Sequence, residues 1–83
     1  MEDEIIVFPN PVHSPVGIQF ILAADFKTDL TIYSINGTPV KRVVDGQFLK
    51  KGYHYFSVPF DDMPAGVYFV NFSNKKFKLF IKQ

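Results

Sequence analysis

Apolar and polar residues alternate with a period of two along this 83-residue chain, and that alternation restricts the fold more than any other feature of the sequence. It is clearest in residues 30–35 and 77–82, where β-branched and aromatic side chains predominate. The best helical window, residues 20–26, ends in a turn region expected at residues 25–29. Short strands separated by proline and glycine, rather than helices, are therefore predicted throughout.

Seven strands are predicted from the alternating runs and the turn residues between them. They comprise residues 4–8, 17–22, 30–35, 40–44, 53–58, 67–72 and 76–82. Asn36-Gly37 predicts a hairpin turn after the third strand, because both residues tolerate positive φ. Asp45-Gly46 is expected to close the fourth strand. We predict an all-β fold, a seven-strand antiparallel immunoglobulin-like β-sandwich forming one domain over residues 1–83, with a small barrel as the alternative.

Composition excludes several classes of protein. Hydrophobic residues make up 47% of the chain and include ten Phe and four Tyr, so the chain is not intrinsically disordered. No apolar run approaches the roughly 20 residues of a transmembrane helix. The absence of Cys excludes disulfides and thiolate zinc sites. A formal net charge of +1 provides no general basis for nucleic-acid binding.

Residues that carry catalytic or metal chemistry are sparse. A Ser-His-Asp set can be assembled on paper from Ser57, His54 and Asp61, but no nucleophile elbow or phosphate-binding loop accompanies it. Asp61-Asp62 provides only two neighbouring carboxylates, whereas calcium requires about six to eight oxygen ligands, so these residues are interpreted as turn formers. We therefore predict no enzyme activity, no cofactor and no metal site.

Three neighbouring residues of the fifth predicted strand have alternative interpretations. His54 alternates with Phe56 and is expected to face partly inward as a hydrogen-bonded structural residue, with a metal ligand as the alternative. Tyr53 and Tyr55 occupy the opposite face and are interpreted mainly as cross-strand packing residues. The alternative is that this tyrosine pair stacks on a sugar or a peptide.

Four lysines crowd the end of the chain: Lys75, Lys76, Lys78 and Lys82 lie within the last nine residues, which contain no acid. Lysines on a terminal strand commonly prevent edge-to-edge pairing of sheets. Alternatively, they form a basic strip that a partner recognises. On the same strand, Leu79 and Ile81 are expected to belong to the core.

Short motifs follow one another in a characteristic order over nearly the whole chain. They are Val7-Phe8-Pro9-Asn10-Pro11-Val12, Leu30-Thr31-Ile32-Tyr33 followed by Asn36-Gly37-Thr38-Pro39-Val40, Gly52-Tyr53-His54, Met63-Pro64-Ala65-Gly66-Val67-Tyr68 and Lys78-Leu79-Phe80-Ile81-Lys82. This order resembles the C-terminal sorting domains, of type A, of proteins exported by the type IX (Por) secretion system. Ser34 stands where the family often has Asp, and Met63 where it usually has Leu.

The resemblance implies a secretion signal rather than an active domain. Such domains are immunoglobulin-like sandwiches at the C-terminus of a larger exported protein, the passenger. A Gram-negative outer-membrane translocon recognises them after transit through the periplasm, and a cysteine-protease-like sortase commonly removes them at the cell surface. On this reading Met1 is an added start, because the native sequence would continue upstream. An immunoglobulin-like binding or adhesive module, or a domain accessory to a surface enzyme, is the alternative.

The motif residues also have a physical interpretation of their own. Pro9 and Pro11 cannot donate ladder hydrogen bonds, so they end the first strand. Gly37 and Gly66 are expected in conformations that a Cβ resists. Tyr68 is expected to be buried with its hydroxyl bonded to a loop, as in the tyrosine corner of immunoglobulin sandwiches.

Overall fold

Seven β-strands in two antiparallel sheets form the fold in a computed structural model, which describes residues 5–9 and 11–83. The strands are β1 (Ile6–Phe8), β2 (Val16–Leu22), β3 (Phe26–Ser34), β4 (Pro39–Leu49), β5 (Gly52–Val58), β6 (Gly66–Phe72) and β7 (Lys76–Lys82). One sheet has the order β1-β2-β5 and the other the order β4-β3-β6-β7. This arrangement confirms the predicted all-β sandwich. Among the described residues, the structure holds no helix long and apolar enough to cross a membrane.

The β3–β4 pair is longer than the sequence pattern indicates, and the predicted ends at residues 25–29 and 45–46 are wrong. Strand β3 already begins at Phe26, and β4 continues through Asp45-Gly46 to Leu49. The pairing register shifts between Thr28 and Leu30, which marks a β-bulge. Gly46 adopts a φ of +61° there and donates its N–H to Asp29 Oδ1 at 2.8 Å. The turn residues therefore bend a continuous strand instead of ending it.

The core lies between the inward faces of the two sheets. Its fully buried members come from both sheets, from the segment between β1 and β2 and from the loop before β6, and the largest is Phe60. Phe20 of one sheet meets Phe72 of the other edge-on, with ring centroids 5.2 Å apart. The buried hydrophobic residues are Ile5, Val7, Val12, Val16, Ile18, Phe20, Leu22, Leu30, Ile32, Val44, Val58, Phe60, Tyr68, Val70, Phe72 and Phe80.

The segment after β1 passes from one sheet to the other. Strand β1 pairs with β2, but Val12 forms a parallel bridge with Lys82 at the end of β7. The Val12 N–H donates to the Ile81 carbonyl at 2.8 Å, and its carbonyl accepts from the Gln83 N–H at 3.1 Å. One buried residue thus ties the start of the chain to its end. It also occupies one end of the outer edge of β7.

The expectation that Leu79 and Ile81 belong to the core is wrong. Phe80 faces inward and is 4% exposed, whereas Leu79 and Ile81 are 62% and 52% exposed. Alternation divides a strand into two faces but does not say which of them meets the core. On β7 the inward face carries Lys76, Lys78 and Lys82 beside a single aromatic ring. That ring packs on Phe60 and Tyr68, which decides the orientation.

Gly17 provides a test of packing on the outer face of the three-stranded sheet. The Phe8 ring lies over it, so that a Cβ at this position would be 2.8 Å from Phe8 Cε2. We expect Gly17→Ala to lower the free energy of unfolding by about 1 kcal/mol or less, because the exposed Phe8 ring must shift from its stacking on Tyr55 to admit the methyl group. Urea denaturation of Gly17→Ala, Phe8→Ala and the double variant measures the effect. Because the conflict is with the ring, Gly17→Ala should cost little in the Phe8→Ala background, and an equal cost in both backgrounds would contradict the clash.

Candidate partner-recognition surface

The terminal hairpin is built by a tight turn between β6 and β7. Ser73 and Asn74 adopt φ values of 51° and 58°, and the Lys75 N–H donates to the Phe72 carbonyl at 2.8 Å. Asn71 holds the turn by accepting the Asn74 N–H on its Oδ1 at 2.8 Å. Small polar residues favour this geometry, since asparagine tolerates the left-handed region and bonds the local backbone. The turn sets the register of β7 and therefore the placement of its lysines.

The structure divides the four lysines of the predicted basic strip into three environments. Lys75 lies in the turn with its Nζ 5.3 Å from the centroid of the Phe26 ring, a cation–π distance. Lys82 is half-buried and donates from Nζ to the Met63 carbonyl at 2.6 Å. Lys76 and Lys78 are both exposed and share one face of β7. Lys75, although exposed, and Lys82 thus contact groups of the domain itself, and Lys76 and Lys78 form an exposed pair on one face of β7.

The opposite face of β7 is apolar and exposed, a feature that sequence reasoning missed. Phe77, Leu79 and Ile81 are 59%, 62% and 52% exposed, and we call them the outer apolar strip. They lie beside β6, where Phe69 pairs with Leu79 and has its ring centroid 6.0 Å from that of Phe77. The alternation of residues 77–82 indicates that one face of the strand is apolar. It does not indicate whether that face is exposed or faces the core.

Tyr33 extends the aromatic surface across the sheet. Its ring stacks on Phe69 at 5.3 Å with an interplanar angle of 10°, on the outer side of β3 and β6. Tyr33, Phe69 and the outer apolar strip therefore lie on the same side of the four-stranded sheet.

The turn glycines of the motifs differ in conformation. Gly37 has a φ of +92° and donates its N–H to the Ser34 carbonyl at 2.9 Å, closing the turn between β3 and β4. Gly52 has a φ of +120° at the start of β5. Gly66 has a φ of +157°, at the upper limit of the positive-φ range that residues with a Cβ rarely adopt, as the sequence predicts. The positive-φ requirement is therefore strongest at Gly37 and Gly52, where residues with a Cβ are strained.

The prolines and the tyrosine of the remaining motifs organise loops. Strand β1 ends at Phe8, directly before Pro9, and the exposed Pro11 follows in the crossing segment. Asn10 lies outside the described residues. Tyr68 is 4% exposed and donates its hydroxyl to the Pro64 carbonyl at 2.6 Å, the loop bond that the sequence predicts.

Tyr68 joins the loop before β6 to the core. Its ring meets Phe60 edge-on at 4.9 Å and stacks on Phe80 at 5.8 Å. The Met63 N–H donates to the Phe60 carbonyl at 3.1 Å, and the Met63 carbonyl accepts from Lys82. The Pro-x-Gly-x-Tyr motif and the terminal lysine thus act on one loop, so these motif residues specify shape.

The structure does not bring together the residues of the hypothetical Ser-His-Asp catalytic set. His54 and Ser57 are three positions apart on β5 and therefore point to opposite faces of the sheet. The Nε2–H group of His54 donates a hydrogen bond to the Lys50 carbonyl at 2.7 Å, and the imidazole stacks on Phe20. Within the described part of the chain, no group of three or more His, Cys, Asp or Glu residues is placed to hold a metal ion.

Tyr53 and Tyr55 lie on the outer face of the three-stranded sheet, 61% and 47% exposed. Tyr55 stacks on Phe8 with centroids 5.8 Å apart, and the Tyr53 hydroxyl donates to Gln19 Oε1 at 3.1 Å. Both residues therefore make the cross-strand contacts expected of packing residues.

Asp61 is held by a short hydrogen-bond relay at the loop before β6. Ser14 Oγ donates to Asp61 Oδ1 at 2.6 Å and accepts the Phe60 N–H at 2.9 Å. The Ser14 hydroxyl, with further help from backbone bonds and the positive charge of Lys82, lowers the pKa of Asp61 below its ordinary value. Neighbouring Asp62 pairs instead with Lys41 at 3.1 Å.

The lowered pKa of Asp61 predicts a pH dependence of stability. A carboxyl with a depressed folded-state pKa contributes stability that is complete above its unfolded pKa of about 3.9 and is lost as pH falls through the folded value. We expect Asp61→Asn to be less stable than the parent chain at pH 7 and the difference to shrink below about pH 4. Urea denaturation across this range measures it. Asp45→Asn, at an exposed carboxylate facing Arg42, is the control, and the same acid dependence in both variants would contradict the role of Ser14.

A family model matches nearly the whole of the chain. A family model described as the secretion system C-terminal sorting domain matches residues 6–83. No curated protein and no solved structure matches the chain significantly. The matched region includes all seven strands, the loop motifs and the terminal hairpin.

Proposed function

This chain belongs to the family of secretion system C-terminal sorting domains, and from that premise we propose that it forms the C-terminal end of a longer exported protein. Its function is that of a type IX C-terminal sorting signal, which implies interaction with the type IX machinery and export to the cell surface or the medium. The family match over residues 6–83 is the observation that carries this conclusion. The family match does not favour the alternative of a binding or adhesive module.

Family membership also supports a more specific proposal for the partners of this domain. We propose that an outer-membrane translocon of a Gram-negative bacterium recognises the sandwich after the passenger has reached the periplasm. A cysteine-protease-like sortase then separates the sandwich from the passenger at the cell surface. The domain itself takes no catalytic part in these steps, in keeping with a family that is generally non-catalytic.

The folded shape is the proposed form of the signal. Pro64 and Tyr68 are joined to each other, and Lys82 is bonded to the neighbouring Met63, so the motifs of this region are used inside the domain. A partner therefore meets the surface that these motifs leave open. Lys76 and Lys78 are the exposed lysines of β7 and are the residues we propose for recognition.

A reporter fusion tests the proposed function. Residues 5–83 are placed behind a signal peptide and a reporter protein, and the reporter is located in a host with a working type IX system. We expect the reporter to reach the surface or the medium. The same fusion in a strain that lacks the translocon is the matched control and should retain the reporter inside the envelope. Retention of a folded fusion in both strains would contradict the sorting function.

A further inference from the structure

Among residues 5–9 and 11–83, no strand pairs with the backbone groups along the outer edge of β7 in the four-stranded sheet before Ile81. Strand β7 is the last strand of this sheet. The bonds of Val12 to the Ile81 carbonyl and the Gln83 N–H show that these odd-numbered residues direct their peptide groups away from β6. Peptide groups of alternate residues in an antiparallel strand point the same way. The N–H and C=O groups of Phe77 and Leu79 therefore face outward, and no segment among residues 5–9 and 11–83 pairs with them.

The side chains along this edge alternate between two chemistries. Lys76 and Lys78 are exposed on the inward side of the strand, where the three-stranded sheet does not cover them. Phe77 and Leu79 are exposed on the outward side, at 59% and 62%. A strand added to this edge would place one row of its side chains beside two positive charges. The other row would lie beside the outer apolar strip.

The charge of the edge selects among possible strands. A second copy of β7 would bring lysines against lysines, which is the arrangement that protects sheet edges from self-association. An acidic strand would instead place carboxylates beside Lys76 and Lys78. The same two lysines that repel another copy of this chain therefore favour a partner of opposite charge, so specificity arises from repulsion and attraction together.

We propose that the β7 edge around Phe77 and Leu79 binds an extended strand of a partner protein in which acidic residues alternate with apolar residues. The outward peptide groups supply main-chain hydrogen bonds, as in other cases of strand addition. The lysines select the acidic row, and the outer apolar strip covers the apolar row. The inference rests on the proposed function only in assigning the partner strand to the secretion machinery.

A peptide-binding experiment with the full 83-residue chain tests this inference. The probe is a capped hexapeptide of alternating glutamate and valine, and the scrambled control has three glutamates followed by three valines. Amide chemical shifts and hydrogen exchange are followed by NMR. We expect the alternating peptide to bind more weakly as salt is added and to slow the exchange of the Phe77 and Leu79 amides by at least about tenfold. The scrambled peptide should not protect these amides.

Two variants separate charge from backbone pairing. Lys76→Gln together with Lys78→Gln is expected to weaken binding by about tenfold, since two exposed charge pairs are removed. The matched control is Lys50→Gln together with Lys51→Gln, which makes the same charge change in the exposed β4–β5 connection and should leave binding unchanged. Leu79→Pro removes an outward N–H that the sheet does not use, and it should abolish binding in a chain that still folds.

Several outcomes would overturn the inference. They are no binding of the alternating peptide at about 1 mM, equal binding of the scrambled peptide, shifts confined to another surface, or self-association of the chain through β7. If Leu79→Pro fails to fold, the lysine variants and the amide protection still show whether the peptide binds at the β7 edge. The fusion experiment keeps the two proposals apart. Export of the reporter without peptide binding removes this inference alone, whereas peptide binding without export removes the proposed function.

Discussion

Replacing Phe80 with alanine is expected to lower the free energy of unfolding by about 3–5 kcal/mol. The ring is 4% exposed and packs on Phe60 at 5.7 Å and on Tyr68 at 5.8 Å. Its removal leaves a cavity beside the loop that Tyr68 holds. Because small domains have total stabilities of only about 5 kcal/mol or somewhat more, the variant should keep only a small part of the parent stability and unfold at a much lower urea concentration. Urea denaturation followed by circular dichroism measures the loss.

Phe48→Ala is the matched control, because it makes the same chemical change at a ring that is 68% exposed. We expect its free energy of unfolding to lie within about 0.5 kcal/mol of the parent value. In the reporter fusion, Phe80→Ala should also reduce export. If Phe80→Ala were as stable as Phe48→Ala, the inward orientation of β7 would be wrong.

Removing residues 78–83 is expected to abolish export of the fused reporter completely. The deletion takes away Phe80, the inward aromatic ring of β7, and both backbone partners of Val12. Without these contacts the edge of the four-stranded sheet and the crossing segment lose their attachment. We therefore expect the truncated chain to be unfolded, and to be retained because the folded signal is missing. Circular dichroism of the purified chain and localisation of the fusion measure the two effects together.

A substitution that preserves the core separates folding from charge. Lys78→Gln with Lys82→Gln removes two charges and the Lys82 bond to the Met63 carbonyl, and it should cost about 1 kcal/mol while keeping the fold. Export of this variant reports on recognition of the lysines. If the truncated chain folded normally and the reporter were still retained, unfolding would not explain the loss of export. The secretion machinery would then recognise the last residues themselves.

The sequence alone was sufficient for the fold class and for most of the loop chemistry. Period-two alternation can only be satisfied by half-buried strands, and turn residues such as Asn36-Gly37 mark their ends with local geometry. The predicted bond of Tyr68 to a loop also follows from local sequence, since its acceptor, Pro64, is four residues away. The order of these motifs also predicts the family to which the chain belongs.

Tertiary structure decided the features that depend on distant partners. Gly46 continues a strand because Asp29, far earlier in the chain, accepts its N–H across the bulge. Lys75 lies near the Phe26 ring because the antiparallel pairing of β3 with β6 brings the start of β3 beside the turn that follows β6.

The orientation of β7 is the clearest case of what the sequence could not decide. Residues 76–82 carry two alternating rows, one with three lysines and a phenylalanine and one fully apolar. Local pattern favours burying the apolar row, yet Phe80 is the residue buried. It faces Phe60 and Tyr68, while the edge position leaves the lysines of its row in reach of solvent. Burial is a property of the whole sandwich, because the contacts that stabilise an inward side chain come from strands and loops far away in sequence.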